Sequence, residues 1–245
     1  MVSVSSSVPW PAVEQSIAFA GREIRLVPPS RDDLGELRQY PLAAIEHIAG
    51  DSDAALVRVI RRFLNAVSWR DQAGIREVDV SSGAPLRTGT RIPGNGTTTT
   101  FDAADLSDPP DEPARMALSF YAEGMALMHV HIGYSLLSYF KVLNVRFAAG
   151  RDQMEWINAQ CDASRLPGCT ERLAEIRTIA TDLGEYLYGS GRCAVAHAFA
   201  EPLLDPNDLA DQQRLSRDTP VIRALAALLL RDEWQLSPPR CSAAA

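Results

Sequence analysis

The chain has 245 residues, 46% of them hydrophobic and 22% charged, enough for one large domain or two small ones around at least one packed core. A formal net charge of −7 argues against a general nucleic-acid binder, whose affinity comes from neutralising phosphates; no DNA partner is expected, and the charge lends RNA no support. No apolar run approaches the ~20 residues of a membrane span, and the serine-rich Met1–Pro11 stretch lacks the basic flank and apolar core of a secretory signal, so the cytoplasm is the expected compartment.

In chain order, Ser16–Ala20 and Glu23–Val27 alternate in polarity around Gly21 and predict a short hairpin, which Pro28-Pro29 ends. A weak helical stretch broken by Pro41 is expected next. Over Asp51–Trp69 the spacing of Val57, Ile60, Leu64 and Val67 predicts an amphipathic helix, with Asp51 or Ser52 as its N-cap. Ile75–Val80 alternates as a strand. Residues 1–80 therefore form a small α+β unit. Residues 81–113 are rich in Gly, Pro, Ser and Thr and read as a linker, or as loops around one edge strand near Thr98–Phe101. Gly94-Asn-Gly96 lacks the flanks of a phosphate-binding loop and reads as a turn.

After Pro113 the period becomes helical. Ala114–Met128, His131–Ala148 and Arg151–Ala163 predict three helices, and Glu171–Tyr188 a fourth carrying Leu173, Ile176, Ala180, Leu183 and Leu187 on one face. Gly189-Ser-Gly191 should stop that helix, and a short one follows from Arg192. Thr219-Pro220 reads as an N-cap and first-turn proline opening a final helix to Trp234. Residues 114–235 are thus a helical bundle and 236–245 a frayed tail, giving an α+β fold that is mostly α. Tyr121, Tyr134, Tyr139 and Phe140 with Met116, Met125 and Met128 form an apolar stripe expected in the core.

Cys161, Cys169, Cys193 and Cys241 are too scattered for a disulfide framework, and no Cys-x-x-Cys pair nucleates a zinc site. Cys193 and His197 with His129 and His131 could be assembled into a metal site only by an accident of folding, so no metal and no cofactor is expected. Glu201, Asp205, Asp208 and Asp211 make an acidic loop that would repel RNA from that side. Serine-hydrolase, nucleotide-hydrolase and zincin motifs are absent from the sequence.

One pair carries chemistry. Arg192, four residues, then His197 follow a long helix and a glycine-rich segment, and this resembles the Arg-x4–6-His signature of the HEPN superfamily, whose domain is a bundle of four or five helices. The resemblance covers the C-terminal half. It implies a homodimer through the helical domain, with Arg192 and His197 as a metal-independent RNA-cleaving pair and Ser190, Gly191 and Cys193 as binding neighbours. Histidine can accept a 2′-hydroxyl proton, and an arginine fork can hold phosphate oxygens as charge builds on them. A second, narrower resemblance is to the family called methylamine-utilisation protein J. It rests on Ser190–Ala198, Leu137–Leu143 and Arg61–Trp69, extends over most of the chain, and implies an accessory protein named for its gene neighbourhood rather than for an activity.

Other features oppose catalysis. Five positions on a regular helix separate two side chains by ~140°, and the motif interior, Cys193-Ala-Val-Ala196, is apolar. Three readings stay open: RNA cleavage or RNA/nucleotide contact, a non-catalytic dimerising scaffold, and a small-molecule or nucleotide sensor. In a purely structural alternative, Arg192 caps carbonyls of the preceding helix and His197 is a hydrogen-bonded core histidine.

Overall fold

The computed structural model describes residues 1–83, 97–106, 108–162, 166, 168–197, 204–205 and 207–240. Gly94-Asn-Gly96, Glu201 and Cys241 lie outside these. The chain divides into two compact units: Met1–Asp108 together with the segment from Pro239, and Pro109–Pro238.

The first unit is built on strands β1 (Val2–Ser6), β2 (Trp10–Pro11), β3 (Gln15–Phe19), β4 (Arg22–Val27), β5 (Ser30–Arg31), β6 (Leu37–Gln39) and β7 (Leu42–Ala44), helix α1 (Asp53–Asp71), and strands β8 (Ile75–Val80) and β9 (Thr97–Thr98). Five strands form an antiparallel sheet in the order β3-β4-β7-β1-β8. The predicted hairpin is β3–β4, turned through Ala20 and Gly21, both at positive φ (50° and 73°) as a tight right-twisted hairpin requires. Ser52 caps α1 by accepting from the Ala55 amide at 3.2 Å. The helix lays Ile60, Phe63, Leu64 and Val67 into one cluster with Val2, Val4, Ile17, Phe19, Ile24 and Leu26 of the sheet. Phe63 meets the Phe19 ring edge-on at 5.6 Å.

Between Pro28 and Gly50 the expected weak helix is replaced by β5, β6 and β7. All three residues of β7 are buried, and the strand pairs with β4 on one side and β1 on the other. Leu-Ala-Ala is a helix-favouring tripeptide, so sheet pairing here overrides local propensity. The segment read as a linker, or as loops around an edge strand near Thr98–Phe101, carries a short strand there. Phe101 enters the core beside Trp10, and β9 pairs in parallel with β2. Arg240 binds the Arg70 carbonyl and the Asp102 carboxylate, so the tail is held at least that far.

The second unit holds α2 (Glu112–Leu127), α3 (Ile132–Arg146), α4 (Gly150–Asp162), α5 (Thr170–Ile179), α6 (Leu183–Tyr186), a π-helical turn (Leu187–Cys193), α7 (Ala194–Ala196) and α8 (Leu209–Asp232). Helices α2 and α3 cross where Gly124 meets the Tyr139 ring, leaving no room for a Cβ; Ser135 Oγ donates to the Gly124 carbonyl there at 2.8 Å. Tyr121, Met125, Tyr139 and Phe140 are core residues as expected, and burial pushes the Tyr139 hydroxyl pKa up. Met116 (47% exposed) and Tyr134 (55%) are not core residues.

Three helix boundaries differ from the expected ones. The fourth helix is broken at Ala180, where the backbone turns extended, and restarts at Asp182, whose carboxylate accepts from the Glu185 amide at 2.7 Å. The Gly189-Ser-Gly191 stop is absent. A glycine stop works through positive φ, which neither glycine adopts, so the chain winds through both as a π turn. Finally, α8 starts at Leu209 under an Asp208 cap and runs through Pro220, with Thr219 Oγ1 donating back to the Leu215 carbonyl at 2.7 Å. Among the described residues no helix is long and apolar enough to cross a membrane.

Candidate functional site

The pair singled out from the sequence is brought together within one chain. Arg192 Nη1 lies 3.5 Å from His197 Nε2, at the outer edge of hydrogen bonding. The ~140° phase of a regular helix is avoided by two departures from it. Arg192 sits at the end of the π-wound turn, and His197 stands where the backbone leaves α7 in an extended conformation (φ −130°, ψ 117°). If Arg192 donates, the accepting Nε2 carries the lone pair and the ring proton resides on Nδ1.

The surroundings fix Arg192 more than His197. The guanidinium carbon stands 5.2 Å from the centre of the Tyr188 ring, a cation–π contact, and Nη1 also reaches Cys193 Sγ at 3.8 Å. Tyr188 is set in turn by close packing of its hydroxyl on Gly150, at the start of α4, and by an edge-on contact with Phe140. His197 is exposed; its backbone amide closes the last turn on the Cys193 carbonyl at 3.0 Å. Among the described residues Arg192 caps no helix carbonyl, and His197 is not a core histidine.

The flanking residues behave differently from one another. Ser190 and Gly191 are buried, Gly191 facing Leu136 and Phe140, while Cys193 is half-buried. Ser190 Oγ donates to the Tyr186 carbonyl at 2.5 Å, and its own carbonyl accepts from Arg214 Nη1 at 2.5 Å. Ser190 and Gly191 thus build the turn rather than line an open surface. His131 caps α3, accepting the Tyr134 amide on Nδ1 at 3.3 Å and stacking on the Tyr134 ring at 4.1 Å. Among the described residues no cluster of His, Cys, Asp or Glu is arranged to hold a metal ion. The acidic residues after the motif are engaged locally. Asp208 caps α8, Asp205 accepts the Asn207 amide, and Asp211 accepts the Asp205 amide and pairs with Arg214.

A second arginine cluster lies on the same segment and was not foreseen. Asp218, 1% exposed, receives Arg172 Nε at 2.8 Å and the Tyr186 hydroxyl at 3.3 Å. Arg172 also bonds Glu175 at 2.9 Å, and Arg217 pairs with the same Glu175 carboxylate. Burial pushes the Asp218 carboxyl up, and Arg172 only partly offsets this. One signal was legible: Asp218 lies three residues after Leu215 and four before Ile222, on the apolar face of its helix.

Residues 117–231 match the family described as methylamine utilization protein MauJ. That span is just under half of the chain and falls within the helical unit, from α2 almost to the end of α8. The MauJ match includes Arg192, His197 and the Arg172–Asp218 cluster. No curated protein and no solved structure matches the chain. The first unit, outside the match, holds a cleft of about 1020 Å³ floored by Leu56, Val57 and Ile60 and rimmed by Arg25, His47 and Asp53. Its rim is mixed in charge: Asp53 faces His47 at 3.7 Å and Arg25 is paired with Glu14.

Proposed function

We propose that this protein is a non-catalytic accessory factor of methylamine-utilisation type, acting by contact through Arg192 and His197 on a HEPN-type helical unit. The observation that carries this reading is the MauJ match over residues 117–231, which contains both residues. The geometry adds the chemistry of the contact. An exposed imidazole lies within 3.5 Å of a guanidinium anchored on Tyr188, and together they suit an oxyanion, a carboxylate or phosphate on the partner. Deletion of the gene should abolish or slow growth on methylamine, and the wild-type gene should restore it. Unimpaired growth of the deletion strain would remove the reading.

Metal-independent RNA cleavage at the same pair is the second reading. It is favoured by one observation, the approach of exposed His197 to Arg192, which resembles a base beside a phosphate-holding fork. Incubation with RNA in chelator should then give 2′,3′-cyclic ends with wild type and none with His197→Ala. Absence of products with wild type rejects cleavage and leaves the contact reading standing.

A further inference from the structure

A π-wound turn is a rare and less stable form of helix, found mostly as single turns at functional sites, so a seven-residue stretch of it needs contacts that hold it open. Rewinding it as α-helix would shift the register of everything after it by one residue, about 100° of rotation. Tyr188 and Arg192, four residues apart, keep to one side of the helix in either winding, but rewinding would turn Arg192 by part of that rotation relative to the Tyr188 ring and would change its angle to His197. The winding of Leu187–Cys193 therefore sets how closely Arg192 seats over Tyr188 and approaches His197.

Two side chains grip the middle of this turn. Ser190 Oγ bonds back to the Tyr186 carbonyl from inside the turn. Arg214, on the first half of α8, donates Nη1 to the Ser190 carbonyl from outside it, at 2.5 Å. Arg214 is tethered one turn along its own helix by Asp211, with Nη2 to Oδ1 at 3.3 Å, and both side chains are about four-fifths shielded from solvent (20% and 21% exposed). This is a charge-assisted bond to a backbone carbonyl, among the stronger hydrogen bonds available to a protein. Its acceptor lies two residues before Arg192.

We infer that Arg214 is a positioning residue, holding the π turn in the winding that sets Arg192 over Tyr188 and beside His197, so that α8 controls an oxyanion site at Arg192 and His197. The inference deepens the contact reading above and rests on it for the identity of the site, though not for the positioning itself. Arg214 touches no part of the pair directly. Its effect passes through the Ser190 carbonyl.

The test compares full-length wild type with Arg214→Ala, Arg214→Lys and Asp211→Asn by NMR and by titration with inorganic phosphate. In the wild type the Arg192 δ and ε protons should show the upfield ring-current shift of a guanidinium over an aromatic face, and phosphate should perturb Arg192 and His197. Arg214→Ala should reduce the ring-current shift and weaken phosphate binding about tenfold, the loss expected when Arg192 no longer holds its place beside His197 to make a charge-assisted contact with the anion. Arg214→Lys, which keeps a donor for the Ser190 carbonyl, should restore both. Asp211→Asn, which leaves Arg214 in place but loosens it, should reduce the shift partway and serves should Arg214→Ala fail to fold. An unchanged Arg192 shift in both Arg214→Ala and Asp211→Asn would overturn the inference, as would failure of Arg214→Lys to restore it. If wild type shows no phosphate perturbation while Arg214→Ala still reduces the ring-current shift, positioning stands and the oxyanion contact fails.

Discussion

Two arginine clusters grow from tyrosines only two residues apart, and they have opposite characters. Tyr186 turns inward to Asp218, which is 1% exposed and shares Arg172 with Glu175. Tyr188 carries Arg192 on its face, next to an exposed His197. Both contain the residue types from which sites are built, but the first has spent its hydrogen-bonding capacity on the fold. The second leaves an imidazole open to solvent. Burial, rather than residue type, separates the strut from the exposed pair.

The largest test of this contrast is Asp218→Ala. It removes the buried partner of Arg172 and of the Tyr186 hydroxyl, leaving Arg172 only Glu175 as a carboxylate partner, and should cost about 3 kcal/mol, the low end for a broken buried pair, read by urea denaturation. The paired change Arg172→Met with Asp218→Leu should recover most of that loss, because a buried ion pair replaced by packed apolar groups is often neutral. Next comes Gly184→Ala. A Cβ there would overlap the Met154 carbonyl of α4, backbone that cannot swing aside, and should cost ~1–3 kcal/mol of stability.

The exposed cluster should respond far less. Arg192→Ala forfeits a cation–π contact worth ~0.5–1 kcal/mol, and His197→Ala should stay within ~0.5 kcal/mol of wild type. A loss comparable with that of Asp218→Ala at either position would erase the distinction between the clusters. The smallest effect concerns pH. Arg172 and Arg217 hold Glu175 below its ordinary value of 4.5. Its stabilisation is therefore complete above that value and lost as pH falls through the lowered folded pKa. Melting temperatures of wild type and Glu175→Gln should differ at neutral pH and converge in acid. Asp218 runs the other way, because burial raises it from 3.8. Its contribution is complete below that value and lost as pH rises through the folded pKa.

Much of the architecture was legible where local and tertiary preferences agree. The Ala20-Gly21 hairpin, α1 under its Ser52 cap, and β8 each combine a period with a turn or cap signal, and each is present. The errors occur where they disagree. Leu42-Ala-Ala44 has helical propensity but is a central strand, and the apolar period of Glu171–Tyr188 runs straight through the break at Ala180. Asp182 and Glu185 at capping-box spacing were the available sign of that restart. Gly189 and Gly191 were read as a stop, because glycine frees the backbone for positive φ; here it permits a π turn instead. That turn, together with the extended backbone at His197, is why Arg192 and His197 do not stand ~140° apart as on a regular helix. Asp205, Asp208 and Asp211, read from the sequence as an acidic loop, are held in place by backbone amides and Arg214.

The most direct test of the proposed accessory role and of the proposed contact is growth on methylamine of a strain whose only copy carries Arg192→Ala and His197→Ala. The expected result is a protein that melts near the wild-type temperature and a strain that grows as poorly as the deletion. Wild-type growth with that folded variant would contradict the account.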